Sequence, residues 1–252
     1  MSDKEQKQKF PSEIVDLPSG GKVYPKNSPI SNGKIELKYM TAREEDILTS
    51  QNLIKKGEVI EKVLDSLILT EGVKCDDLII GDKNAIMVAA RILAYGPIYE
   101  AQVTNPNTGD QMNVSFDLTD CPFKKVPDIS GNNFEFELPI SKKKIQYQIL
   151  TGKEEEQILD ELKKIKKINK GTSPTLTTRL RHSILSVDGD DSHAAINDLS
   201  INMLARDSLA FREELKRVSP DIDLEQEVEL EGEMVTVQIP MTATFFWPNS
   251  KT

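Results

Sequence analysis

Few stretches of this chain carry residue types that could do chemistry. The turn at 104–110, TNPNTGD, has the outline of a zinc knuckle, in which Pro and Gly bend the backbone so that two thiolates face one metal. Its two ligand positions hold Asn105 and Thr108, neither of them a usable zinc ligand, so a plain hairpin turn is expected. The acidic DGDDS at 188–192 is far shorter than a calcium loop of about twelve residues ending in Glu, and reads as a capping loop. PSGGKVYP has Gly-Gly-Lys but lacks the phosphate-loop spacing and a following helix. There is no Gly-x-Ser-x-Gly elbow. His182 and His193 are the only histidines, and Cys75 and Cys121 the only cysteines. Two thiols cannot build a disulfide framework or a four-ligand zinc site, and free thiols in a reducing compartment are expected. Asp82, Lys83 and Arg91 fall on a helix that reads as buried, where a helix cap at Asp82 and a paired or snorkelling arginine explain them better than catalysis does. The run KKIKKINK at 163–170 ends a helix that begins with three glutamates, which complements the helix dipole. Nothing assembles into a catalytic set. The reading is of a chain that is not an enzyme, with no cofactor and no metal.

The composition narrows the class further. The chain has 252 residues, a net charge of -9 and 38% hydrophobic residues, with a mean hydropathy of -0.41. That is enough chain for one large domain or two modest ones. The negative balance argues against nucleic acid, which prefers a basic face. No apolar run approaches the roughly 20 residues that cross a bilayer, so no membrane insertion is expected. The opening MSDKEQKQKF has no apolar core of a secretory leader.

The elements that must hold these residues follow from periodicity. Residues 1–12 are polar. LPSGGKVYP at 17–25 cannot be a helix, because of its prolines and paired glycines. An extended arm with a tight turn at Gly20-Gly21 is expected, with Leu17, Val23 and Tyr24 to bury. GKIELKYM alternates Ile35, Leu37 and Tyr39 against charged neighbours, a strand with one wet face. TAREEDIL follows, with Thr41 and Glu44 at capping-box spacing, and predicts a helix to about Ser50. Two more helices are predicted, over 58–69 and from a cap at Asp82 to Tyr95, the second stopped by Gly96-Pro97. Strands IYEAQVT and QMNVSFDL form a hairpin, FEFELP and KIQYQIL a second pair, and the four could make one sheet. From 153 to 218 the chain reads as helical, with one helix running to about Val187, Ser192 capping the next and Asp207 or Ser208 capping the last. EVELEGEMVTVQIP is a hairpin turning at Glu231-Gly232.

The expected fold is therefore α+β: two helix-plus-β-hairpin modules with an extended N-terminal arm. Its divisions fall at 1–32, the arm; 33–151, a first module; and 152–252, a helical module ending in a hairpin and an aromatic tail. That tail, TATFFWP, holds Phe245, Phe246, Pro248 and the single tryptophan, Trp247. It either closes the protein's own core or stands as an exposed anchor for a partner, where such rings dominate binding.

LPSGGKVYP, ELKYMTAREEDILTSQNLIKKG, DDLIIGDKNAIMVAARILAYGPIYE, VSFDL and FFWP together resemble the T4-type bacteriophage baseplate hub protein family, closely over about 13–120 and more loosely beyond. Members of that family often carry Cys-Pro-x-Cys-Gly at the first hairpin, and this chain departs from that with NPNTG. The resemblance implies a structural or assembly protein of a contractile tail, in the virion's baseplate and in the host cytoplasm during assembly. Its partners would be other baseplate and tail proteins, with oligomerisation within the baseplate. Candidate contact residues are Leu17, Pro18, Val23, Tyr24 and Pro25 on the arm, and Phe245, Phe246, Trp247 and Pro248 at the tail. Thr41, Glu44 and Asp82 are the fold-defining caps. The alternatives are a transient assembly chaperone absent from the mature particle and a hub-associated hydrolase with paired carboxylates.

Overall fold

The computed structural model describes residues 10–105, 108–168, 173–230, 232–241 and 243–247. It is a mixed α+β fold, with eight helices and small antiparallel sheets among the described residues. Strand β1 (Ser12–Asp16) pairs antiparallel with β2 (Lys34–Lys38), Val15 facing Ile35. Helices α1 (Ala42–Leu48), α2 (Gln51–Lys56) and α3 (Val59–Leu67) follow, and α4 (Ile80–Tyr95) leads into the hairpin of β3 (Ile98–Thr104) and β4 (Gln111–Asp117).

A second series then begins. Strands β5 (Phe134–Glu137) and β6 (Lys144–Tyr147) precede α5 (Gly152–Ile168) and α6 (Thr175–Ser183). After these come β7 (Ile184–Val187), α7 (His193–Asn202), α8 (Ala205–Val218) and the hairpin of β8 (Glu225–Leu230) and β9 (Glu233–Gln238).

The start of α1 shows how local sequence sets the frame. Alternation on β2 buries Ile35 and Leu37 at 1% and 0% exposure and would leave Lys38 wet. Instead Lys38 turns in, its ammonium 2.8 Å from Glu44 Oε1, and Ser66 Oγ donates to the same oxygen at 2.6 Å. Glu44 Oε2 accepts from the Thr41 N–H at 2.9 Å and the Thr41 hydroxyl at 2.7 Å. The predicted capping box is thus present in its carboxylate half, and the Thr41 hydroxyl is spent on Glu44. Glu44 is fully buried. Burial alone would raise its pKa, but the donors from Lys38, Ser66 and Thr41 outweigh that and hold it near 2, against an ordinary 4.5. Two charges have been taken from water here, and only complete hydrogen bonding makes that tolerable.

Two hydrophobic cores result. The first gathers β2, α3, α4 and both β3–β4 and β8–β9, with Leu37, Leu64, Ile86, Phe116 and Val237 inside it. The second gathers β5–β7 and α6–α8 around Tyr147 and Phe211, whose rings meet edge to face at 5.2 Å.

The structure corrects several expectations. Residues 17–33 are not an extended arm: successive turns fold them back, with Gly20, Gly21 and Gly33 all at positive φ. A Cβ on Gly21 would lie 2.5 Å from the Gly33 nitrogen, so the crossing excludes any side chain there. The four middle strands do not share a sheet. β3–β4 stands alone, whereas β5 and β6 join β7 in a three-stranded sheet. β5 and β6, which precede residue 152, thus share a sheet with β7, which follows it. The helix expected to reach Val187 stops at Ser183, because ILSV, with the β-branched Ile184 and Val187 at its ends, pairs with β6. Asp82 is not a cap. Ile79 is the cap residue of α4, and Asp82 is its third helical position, just as Asp207 is the third of α8 after Leu204.

Replacing Glu44 with Ala should cost about 3–5 kcal/mol in urea unfolding, because the Lys38 ammonium is left buried without its partner. A folded-state pKa depressed below the unfolded one means stability that is present above pH 4.5 and is lost as the pH falls toward 2. The linked contribution is about 3 kcal/mol. The wild-type chain should lose stability across that window more steeply than Glu44→Gln, measured by acid-dependent thermal melts.

Candidate functional site

The residues singled out by sequence converge on α4. Its first turn is the seat for the 17–25 segment. Asp82, with no exposed surface, accepts from the Ser19 N–H at 2.9 Å and, at its other oxygen, from Ser19 Oγ and Tyr24 Oη, both at 2.6 Å. Tyr24 Oη in turn accepts from the Ile79 N–H at 3.1 Å, and Ser19 Oγ from the Gly21 N–H at 3.0 Å. The strap thereby satisfies its own turn and one of the free amides that every helix start presents. Burial pushes the Asp82 carboxyl up, its three donors pull it back only in part, and the Asp221 charge adds to the rise. Burial and the neighbouring Asp82 push the Tyr24 phenol up as well.

The same turn receives the chain from its far end. A Cβ on Gly81 would lie 1.8 Å from the Pro220 carbonyl oxygen, so only glycine allows this backbone contact. Asn84 Nδ2 donates to Asp221 Oδ1 at 3.1 Å. The block IIGDKNA is thus a double socket: Gly81 and Asn84 face 220–221, and Asp82 faces 19–24.

The other end of α4 holds the aromatic tail. Arg91 Nε donates to the Phe245 carbonyl at 3.0 Å, and its guanidinium lies 4.9 Å from the Tyr95 ring centre. Tyr99 meets Phe245 edge to face at 4.9 Å, Phe245 meets Phe246 at 5.4 Å, and the Tyr99 hydroxyl donates to the Pro240 carbonyl at 3.1 Å. Phe245 and Phe246 are both fully buried, whereas Trp247 is partly exposed. The two phenylalanines expected to meet a partner therefore complete the chain's own first core. Pro248 lies outside the described residues. On the strap, Leu17 is buried in the first core and Val23 in the second; Pro18 and Tyr24 are half-buried and Pro25 is exposed.

The remaining candidates hold no reactive arrangement. At the TNPNTGD turn, the Asn105 N–H donates to the Asp110 carbonyl at 2.8 Å and Gly109 takes positive φ, as a hairpin requires. Ser192 caps α7, accepting from the Ala195 N–H at 3.3 Å. Cys75 is buried and its thiol pushed up to about 12, mainly by that burial, which leaves little thiolate. His182 and His193 share a shallow pocket with Arg181 and Glu161, where the Glu161 carboxylate pairs with Arg181 and lies 3.3 Å from His182. A groove of about 290 Å³ lies between the two series of elements, but its Glu155 is paired to Arg179 and its Asp221 to Asn84. Among the described residues, no group of His, Cys, Asp and Glu could hold a metal. No helix among them is long and apolar enough to cross a membrane. Sequence reasoning missed Ser19 as the partner of Asp82; the Ser-Gly-Gly turn was its only signal.

Residues 11–133 match the family model of the T4 bacteriophage base plate protein, and over that span the chain carries that family's sequence pattern. No curated protein and no solved structure matches the chain. The matched span holds the strap, the Thr41–Glu44 box, the IIGDKNA socket and the first hairpin.

Tyr24→Phe should remove one donor from a buried carboxylate and cost about 1–3 kcal/mol. Phe246→Ala should cost about 3–5 kcal/mol by opening a cavity. Chemical denaturation of both variants checks these values, and a Phe246→Ala chain as stable as its parent would place that ring outside the core.

Proposed function

We propose that this chain is a structural or assembly component of the central baseplate hub of a contractile-tailed bacteriophage, working through protein–protein interfaces and without catalysis. The observation that carries this reading is the base plate family match over residues 11–133. The character of the site supports it. The buried carboxylates Glu44, Asp82 and Asp207 are all consumed by donors of the fold itself. Such groups set shape, whereas a general acid or base needs access to a substrate.

The interfaces would use what remains accessible. Of the residues expected to touch partners, Pro25 is exposed and Pro18, Tyr24 and Trp247 are partly so. Their partners would be other tail proteins, and Trp247 is the strongest single candidate, since tryptophan is enriched among interface hot spots.

Mass spectrometry of purified mature particles tests the hub reading. The protein should appear in fixed proportion to the other baseplate proteins. Its absence from particles, with abundance in infected cells, would instead support a chaperone that leaves during assembly. Trp247→Ala, with the chain still folded by circular dichroism, should lose a tail partner in pull-downs from infected cells. Retention of every partner would remove Trp247 from the interface.

A further inference from the structure

The two series of elements agree in more than order. Each opens with an antiparallel hairpin, β1–β2 and β5–β6. The second strand of each runs into a Thr-x-x-Glu box. In the first, Glu44 Oε2 accepts from Thr41 N–H and Oγ at 2.9 and 2.7 Å; in the second, Glu154 Oε2 accepts from Thr151 N–H and Oγ at 2.8 and 2.5 Å. Each box starts a helix, α1 or α5, and a later helix, α3 after the short α2 or α6 directly, returns the chain to that second strand. Ile68 bridges back to Leu37, and β7 pairs back with β6. Next comes α4 in the first series and, after the additional helix α7, α8 in the second; the third residue of each is a fully buried aspartate, Asp82 or Asp207.

Both aspartates reach to the same place, the loop between the two strands of their own opening hairpin. Asp82 accepts from the Ser19 N–H at 2.9 Å; Asp207 accepts from the Ile140 N–H at 2.7 Å and the Ser141 N–H at 3.0 Å. Four residues on from each aspartate stands a fully buried apolar residue, Ile86 or Phe211, preceded by Ala85 or Ala210. Each series ends in a hairpin, β3–β4 and β8–β9. A buried carboxylate aimed at another element's backbone is costly unless fully paired. Two such carboxylates at the same helix position, serving the same loop and following the same box, are not a general property of α+β folds.

We propose that residues 12–117 and 134–238 are two diverged copies of one folding unit, fused in tandem and closed on each other as a pair. The family match ends at residue 133, one position before β5 begins, so it covers a single copy. The two copies are not used alike. Copy one's helix start is a seat for backbone, with Gly81 against the Pro220 carbonyl. Copy two carries Arg206 at the matching position, where it is exposed, and a side chain of that size closes off the same approach. Copy two also sends β8–β9 away from its own core to finish copy one's. The pairing therefore runs one way and stops at two, unlike an open repeat array, in which each unit seats the next.

Cleavage of the full-length chain tests this. A protease site placed between Lys125 and Val126, in the connection between copies, is compared with one placed in the 188–191 turn inside copy two. After cutting at 125–126, the fragments should co-elute as a one-to-one complex whose melting temperature lies within about 5 °C of the uncut chain. After cutting at 188–191, the complex should dissociate or melt at least 15 °C lower. Equal effects of the two cuts, or dissociation only at 125–126, would overturn the two-copy reading. Amide exchange on the uncut chain gives a second readout: Asp82→Asn should deprotect Ser19 and leave Ile140 and Ser141 protected, and Asp207→Asn should do the reverse. Deprotection of both loops by either change would show one indivisible unit and equally overturn it.

Discussion

A carboxylate with no water around it must be supplied with donors by the chain, and here Asp82 imposes that demand on the most distant parts of the fold. Its donors are Ser19 and Tyr24, on a strap that places Leu17 in one core and Val23 in the other. Beside that clasp, the two cores are joined by Gly81 against 220–221, by the Gly152 N–H donating to the Leu78 carbonyl at 3.0 Å and by the Lys153 ammonium on Asp77. The strap also buries Leu17 and Val23. Its value is that an unpaired Asp82 would cost more than the hydrogen bonds themselves yield, so the position of the strap is fixed by a penalty as much as by an attraction.

The Glu44 cluster and the Asp82 clasp respond to acid in opposite senses. Glu44 has a depressed pKa, so its contribution fades as the pH falls through 4.5 toward 2. Asp82 has a raised pKa, so its ionised form is a burden that protonation relieves. The strap and the first helix therefore need not loosen together on acidification, although both join the same core.

Legibility in the sequence followed the range of each interaction. The Thr41–Glu44 box spans three residues, and sequence reading found it. The Thr151–Glu154 box has the same pattern, but the three glutamates that open its helix equally suit the helix dipole, so Glu154 carries no distinct signal. Asp82 was correctly singled out and wrongly assigned, because Asp suits both a cap and a first turn, and only the identity of its partner decides between them. β7 was hidden because Leu180 and Ile184 continue a helical stripe across the very residues where pairing with β6 takes over. Whether Phe245 and Phe246 fill the chain's own core depends on Tyr99 and Arg91, roughly 150 residues away, and no local signal reports that. The aromatic tail that looked like an anchor for others is, for two of its three rings, a plug for the protein itself.

That plug has a consequence for the order of events on the ribosome. Copy one is synthesised first, yet its core contains Val235, Val237, Ile239, Phe245 and Phe246. Domains commonly fold as they emerge, N-terminal part first. This chain cannot finish its first core until residues 235–246 have left the exit tunnel. Until then Phe116 and Tyr99 await their cover, so a chain that stops short of residue 235 exposes the surface that residues 235–246 cover. Emergence of Phe245 and Phe246 is thus itself a packing step of the first core.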